Sequence, residues 1–150
     1  MIKKTAIIIL AAGNSSRFGA PKQLLGFEGK SLLRHITDEA LLNREHQVVV
    51  VLGALHDIIQ NELAGSTAQI VINTKWRDGM SGSIKTGLQS LLQTDPDLGQ
   101  CIITACDQPY INANVFHELK VLQAETDKGI ITTGFSGTWG VPVLFSKQYF

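Results

Sequence analysis

The sequence predicts a three-layer α/β domain built around a mostly parallel sheet. Apolar runs rich in β-branched residues are of the kind that is buried on both faces of a parallel sheet. Segments with helical spacing of their apolar residues separate these runs. A regular alternation of strand and helix is typical of parallel sheets with right-handed crossovers. The length of 150 residues fits a single domain with one hydrophobic core, spanning residues 1–150.

The predicted elements follow one another along the whole chain. The strands are Thr5–Ala11, Gln47–Leu52, Ala68–Ile72, Gln100–Cys106 and Gly129–Gly134. The helices are Ser31–Leu42, Ala54–Leu63, Ile84–Leu92 and Val115–Ala124, the last with Asn112 or Asn114 as its N-cap. The segment Val141–Phe145 is a further candidate strand, and Pro142 within it indicates an edge or an irregular position.

A functional rim is expected where the predicted strands end. Ligands of such sheets bind at the carboxyl ends of the strands, near the point where the strand order reverses. The loops that begin at Ala12, Gly53, Asn73 and Asp107 are therefore expected to lie side by side.

Composition and charge exclude several classes of protein. The 44% apolar and 17% charged residues argue against disorder, and no apolar run approaches the roughly 20 residues of a membrane span. Thirteen basic residues balance thirteen acidic ones, so neither a nucleic acid nor a membrane surface is an expected partner. Cys101 and Cys106 form no disulfide framework and suit a reducing cytoplasm; as strand residues five apart they should point to opposite faces.

The loop after the first strand, Leu10–Lys22, carries glycines and cations. Small residues let backbone N–H groups reach a phosphate, and Arg17 and Lys22 would supply the charge that a triphosphate requires. A dinucleotide fingerprint is rejected because Ser15 stands where its second glycine belongs, and a P-loop because Leu24 replaces its first glycine. A solvated basic loop remains the alternative.

Asp107 is a candidate Mg²⁺ ligand. It follows an apolar strand and precedes Pro109, which ends the strand ladder. Mg²⁺ is commonly held by one or two carboxylates together with substrate phosphates. The alternative is an aspartate that only makes a turn hydrogen bond.

Four segments together resemble a known enzyme family. Leu-Ala-Ala-Gly-x-Ser-x-Arg-x-Gly-x-x-Lys over Leu10–Lys22 is similar to the signature of nucleotidyltransferases that activate cofactors and sugars. Supporting segments are Trp76–Ile84, Cys106–Pro109 and Gly140–Phe145. The nearest resemblance is to the molybdenum cofactor cytidylyltransferase group, within a wider family that includes the guanylyltransferase.

The resemblance implies a fold, a reaction and a set of site residues. The fold is the Rossmann-like sheet of nucleotide-diphospho-sugar transferases, and the reaction is Mg²⁺-dependent transfer of CMP from CTP to a phosphorylated acceptor such as the molybdenum-pterin cofactor. Arg17 and Lys22 would stabilise triphosphate charge, and Asp107 would bind the metal. The implied nucleotide-binding residues are Leu10, Ala11, Ala12, Gly13, Asn14, Ser15, Ser16, Gly19, Gly79 and Ser83.

Several alternatives stay open beside this reading. Ala12 stands where the guanylyltransferase branch has glycine, which favours cytosine over guanine. A guanylyl or sugar-phosphate nucleotidyltransferase is the second hypothesis, and a non-catalytic nucleotide-binding module is the third. Family members continue past the Gly-x-Pro segment to a second metal carboxylate, so the chain is expected to lack that C-terminal segment. The sequence predicts no oligomeric state.

Two smaller expectations concern the neighbourhood of the rim. Gly79–Ser83 is expected to precede the third helix, with its serines acting as caps, as ligand contacts, or as both. Trp76 and Trp139 are expected to be packing residues, with stacking on a flat acceptor as the alternative.

Overall fold

The central strand, Thr5–Ala11, is buried along its whole length. A computed structural model describes residues 3–14, 19–44 and 46–150. The strands are β1 (Thr5–Ala11), β2 (Gly26–Phe27), β3 (Lys30–Ser31), β4 (Gln47–Leu52), β5 (Gln69–Ile72), β6 (Gln100–Ala105), β7 (Ile130–Phe135) and β8 (Thr138–Ser146). The helices are α1 (Leu32–Leu41), α2 (His56–Ile59), α3 (Met80–Thr94) and α4 (Ala113–Thr126). Short 3₁₀ turns are Lys22–Leu24, Gln60–Leu63, Trp76–Asp78 and Lys147–Tyr149.

Six strands form one sheet in the order β5-β4-β1-β6-β8-β7. β1 pairs in parallel with β4 on one side and with β6 on the other, and β5 pairs in parallel with β4. β8 runs antiparallel between β6 and β7. The strand order therefore reverses at β1, so the crevice between the ends of β1 and β6 is the expected ligand position.

Two apolar clusters cover the two faces of this sheet. One joins β1, β4 and β6 to α1, α2 and α4, and the other joins the opposite faces of the same strands to α3. α3 lies close to the sheet because Gly87 has no side chain: a Cβ there would lie 3.0 Å from Ile8 Cγ2 and from Val51 Cγ2. The three-layer, mostly parallel α/β prediction is confirmed.

The strand predictions agree with the structure to within a few residues. Thr5–Ala11 and Gln47–Leu52 have the predicted bounds, because continuous apolar runs coincide with full burial. Cys101 and Cys106 fall into the two different clusters, as their spacing predicts. Asn112 is the N-cap of α4, since its side chain accepts from the N–H groups of Asn114 and Val115.

Two helix predictions were wrong in extent. α3 begins at Met80 rather than at Ile84, because Gly79 takes φ 113° just outside the helix and Met80–Ser83 already form the first turn. Apolar periodicity does not report a first turn that is mostly exposed. Ala54–Leu63 is a four-residue α-helix followed by the 3₁₀ turn Gln60–Leu63. A short pattern of apolar residues does not distinguish these two kinds of turn.

The final strand and Trp139 also differ from expectation. Pro142 lies at an irregular position, as one alternative predicted, but not at an edge. The pairing of β8 with β6 ends at Val143, so the missing N–H of Pro142 removes no hydrogen bond from that ladder. The packing prediction was wrong for Trp139, which is 78% exposed near the β7–β8 turn.

Among the described helices none is long and apolar enough to cross a membrane.

Candidate nucleotide-binding site

An open pocket of about 350 Å³ lies at the reversal point of the strand order. The ends of β1 and β6 form its floor, and the start of α3 forms one wall. Its lining residues are Leu10, Ala11, Ala12, Gly13, Lys22, Gln23, Trp76, Gly79, Met80, Ser83, Ala105, Cys106 and Asp107. This is the position where ligands of open α/β sheets bind.

Backbone hydrogen bonds join the neighbouring strand ends. Ala54 N donates to Ala12 O at 3.1 Å, and Cys106 N donates to Leu10 O at 3.2 Å. Asn73 N donates to Leu52 O at 2.7 Å. These bonds fix the loops after β1, β4, β5 and β6 beside one another. The predicted rim is therefore present in the structure.

Gln23 holds the glycine loop to the 3₁₀ turn that carries Lys22. Its side chain is 2% exposed, and Nε2 donates to Ala11 O and to Gly13 O, both at 2.9 Å. One amide thus satisfies two carbonyls at the end of β1 and in the loop that follows it. Sequence reasoning missed Gln23, whose only signal was its place directly after Lys22.

Lys22 and Asp107 both line the pocket and form an ion pair with each other. Lys22 Nζ lies 3.5 Å from Asp107 Oδ2, and the two side chains are 44% and 41% exposed. An exposed pair of this kind contributes at most about 1 kcal/mol to stability. The ion pair matters for position rather than for stability, because it places one cation and one carboxylate side by side in the same pocket.

The turn that follows Asp107 is anchored to β8. Gln108 Nε2 donates to Val141 O at 3.0 Å. Two segments of the predicted family pattern, the Asp-x-Pro turn and the Gly-x-Pro segment, therefore contact each other. Gln108 was also missed by sequence reasoning, because only the tertiary structure brings its backbone partner near.

Trp76 is one of the residues that line the pocket. It packs directly on Gly53, where an added Cβ would lie 2.6 Å from Trp76 Cβ and 2.8 Å from Ala12 O. The guanidinium of Arg77 lies 5.1 Å from the centre of the Trp76 ring. Trp76 is part of the cluster on the α3 face of the sheet, which confirms the packing prediction for this residue.

The structure places most of the predicted site residues together. Eight of them line the pocket: Leu10, Ala11, Ala12, Gly13, Lys22, Gly79, Ser83 and Asp107. Of the predicted residues that the structure describes, Asn14 and Gly19 are not in its lining. Ser15, Ser16 and Arg17 lie outside the described residues. The functional roles of all these residues remain predictions.

Cys106 lines the pocket but is unsuited to act as a nucleophile. Burial, with a smaller contribution from the charge of Asp107, raises the pKa of its thiol to about 12. Burial also raises the pKa of the Cys101 thiol to about 12. Since the thiolate is the reactive form, both cysteines are structural residues in this fold.

The pocket fits a divalent cation only in partnership with a ligand. Asp107 is the one carboxylate in its described lining, and no cluster of three or more metal-binding side chains occurs in the part of the chain that the structure describes. A lone carboxylate is a weak site by itself, but Mg²⁺ readily combines one carboxylate with substrate phosphates and waters. A cation at Asp107 would therefore need further oxygen ligands from a bound molecule or from water.

Residues 7–150 match the family described as MobA-like NTP transferase domain. The chain belongs to this family. It is 35% identical over 81 residues to nicotine blue oxidoreductase of Paenarthrobacter nicotinovorans, which covers 53% of this chain and 40% of that protein. It is 32% identical over 154 residues to the bifunctional protein GlmU of Mycobacterium marinum, which covers 96% of this chain and 31% of that protein.

The fold also matches solved structures. Rv0371c from Mycobacterium tuberculosis H37Rv superimposes with a TM-score of 0.82 at 22% identity, over 100% of this chain and 75% of that one. The chain spans less than half of the length of the two curated relatives. The chain's membership of the MobA-like NTP transferase family and its fold are thus established. Its reaction and its substrates are proposed below from the residues of the pocket.

Replacing Gln23 with Leu is expected to disturb both the fold and nucleotide binding. The change leaves the carbonyls of Ala11 and Gly13 without their side-chain donor, which costs about 1–3 kcal/mol when such groups are buried. We expect a lower midpoint of thermal unfolding and a weaker Kd for CTP in calorimetric titration. Gln47→Leu, a change of the same kind at the start of β4, is the control, and equal effects in both variants would contradict the role of Gln23.

Proposed function

We propose that this chain is a metal-dependent nucleotidyltransferase domain that transfers CMP from CTP to a phosphorylated small molecule. The observation that carries the proposal is the pairing of Lys22 with Asp107, 3.5 Å apart, beside the exposed end of a glycine loop. A cation, a carboxylate and loop N–H groups are what a metal-bound triphosphate requires.

The reaction needs positioning and charge neutralisation rather than a protein nucleophile. An oxygen of the acceptor phosphate attacks the α-phosphorus of CTP, the bond from that phosphorus to the bridging oxygen breaks, and pyrophosphate leaves. Lys22 would neutralise the charge that develops on the leaving group. A bound divalent cation, for which we favour Mg²⁺, would supply Lewis-acid stabilisation of the phosphates. Asp107 would hold that cation.

Cytosine is the favoured base and the molybdenum-pterin cofactor the favoured acceptor. The Ala12 methyl group narrows the pocket beside Trp76, which suits a pyrimidine better than a purine. The acceptor rests on the resemblance of the Leu10–Lys22 motif. A guanylyl or sugar-phosphate nucleotidyltransferase is the second candidate, favoured by the similarity to GlmU over nearly the whole chain.

The test is pyrophosphate release measured with matched substrates. CTP, GTP and UTP are each supplied with the molybdenum-pterin cofactor or with glucose 1-phosphate, with Mg²⁺ or with a chelator. We expect release with CTP and the pterin cofactor, and none with chelator. Release only with another nucleotide or with the sugar phosphate would support the second candidate. Nucleotide binding without release would indicate a binding module, and absence of binding would contradict the proposal.

A further inference from the structure

A buried amide beside the pocket determines which way a serine hydroxyl points. Asn73, which directly follows β5, is 6% exposed, and Ser83, in the first turn of α3, is 4% exposed. Asn73 Nδ2 and Ser83 Oγ lie 2.9 Å apart. Lys75 N lies 3.0 Å from Asn73 Oδ1. Ser83 is among the residues that line the pocket, whereas Asn73 is not.

The orientation of the Asn73 amide follows from the chemistry of its two neighbours. A backbone N–H only donates, so the atom of Asn73 that faces Lys75 N must be the carbonyl oxygen. The NH₂ group therefore faces Ser83, and an NH₂ group only donates. Ser83 Oγ must accept this bond.

The hydroxyl hydrogen of Ser83 is consequently left for something else. No oxygen among residues 3–14, 19–44 and 46–150 accepts it. A buried hydroxyl without an acceptor is costly unless a ligand or water supplies one. Since Ser83 lines the pocket, that acceptor is expected to come from the ligand.

We propose that Asn73 is a specificity-determining positioning residue, which fixes Ser83 as a hydrogen-bond donor and so selects a base with an acceptor at that point. Cytosine presents two adjacent acceptors, O2 and N3. Guanine presents N–H donors on the corresponding edge and a single acceptor, O6. The inference rests on the proposed function and deepens it. It explains a preference for cytosine by the direction of the Ser83 hydrogen bond rather than by the size of the base.

Asn73→Asp tests this inference with little disturbance of shape. A carboxylate still accepts from Lys75 N, but its second oxygen accepts the hydrogen of Ser83, so Ser83 no longer donates into the pocket. We expect the ratio of the Kd values for GTP and CTP to fall about tenfold in calorimetric titration. Simple repulsion by the new charge would weaken both nucleotides equally and leave that ratio unchanged.

A matched control is available between the same two elements. Gln69 Nε2 donates to Ser90 Oγ at 2.6 Å and also joins β5 to α3, but this pair is exposed and lies away from the pocket. Gln69→Glu should leave both Kd values unchanged. In a Ser83→Ala background, Asn73→Asp should no longer change the ratio, since its effect passes through the Ser83 hydroxyl.

The outcomes separate this inference from the proposed function. A wild-type protein that binds no nucleotide contradicts the proposed function. A wild-type protein that binds CTP, with an unchanged nucleotide ratio in folded Asn73→Asp, overturns only the role of Asn73. If variants fail to fold, 3-deaza-CTP and 2-thio-CTP, each with one of the two acceptors altered, test the wild-type site directly. Kd values equal to that of CTP for both analogues would also overturn the inference.

Discussion

Asp107→Asn is expected to reduce pyrophosphate release by at least about a hundredfold without unfolding the protein. The substitution preserves shape and removes the one carboxylate in the described lining of the pocket. Removing a single charge-stabilising group from an active site typically lowers kcat by this order. The Asp107 side chain is 41% exposed and its ion pair with Lys22 is weak, so stability should change by less than about 1 kcal/mol.

Binding measurements distinguish the proposed metal role of Asp107 from a general defect. Titration with Mn²⁺ in the presence of CTP, followed by electron paramagnetic resonance, should show loss of the bound metal in Asp107→Asn. CTP alone should bind at least as well as in the wild type, because Lys22 loses its competing partner. Asp127→Asn, at an exposed residue 3.8 Å from Lys3, is the matched control. Retention of turnover within threefold would contradict the role of Asp107.

The position of the rim could be predicted from the sequence because the order of the strands and their parallel pairing determine it. Lys22 and Asp107 are far apart in the chain, yet each follows a continuous apolar strand, and parallel strands of this order bring their carboxyl ends together. The bounds of β1 and β4 were predictable for the same reason. Full burial on both faces leaves little room for polar residues inside a strand.

The residues that support the site could not be predicted in this way. Gln23, Asn73 and Gln108 are polar side chains whose partners are a carbonyl or hydroxyl of another element. A sequence pattern carries no information on such partners until the elements are packed. The fold is therefore readable from apolar periodicity, whereas the orientation of donors and acceptors around the pocket is not.

The exposure of individual large apolar residues could not be predicted from the sequence either. Phe135 and Trp139 are 82% and 78% exposed at the turn that joins β7 to β8. Alternation in a strand predicts which residues share a face, but not whether another element covers that face. β7 is one of the two edge strands of the sheet, and β8 extends beyond its pairing with β6. Trp139 consequently lies outside the packed layers.

Gly53→Ala is expected to damage stability and nucleotide binding together. The added Cβ would lie 2.6 Å from Trp76 Cβ and 2.8 Å from Ala12 O, both closer than real Cβ contacts, and Ala12 O is backbone that cannot turn away. Overpacking of this kind costs about 1–3 kcal/mol. Relief requires movement of Trp76 or of the end of β1, and both line the pocket. We expect a lower thermal midpoint and at least tenfold weaker CTP binding.

Gly26→Ala is the control that shows whether the steric clash at Gly53 causes the loss of stability and of CTP binding. Gly26 is exposed in β2, and a Cβ there meets nothing within 4 Å, so both measurements should match the wild type. If Gly53→Ala alone matched the wild type in both measurements, Trp76 and the loop after β1 would be more adaptable than this packing implies. The shape of the pocket would then not depend on rigid packing of Trp76 against Gly53.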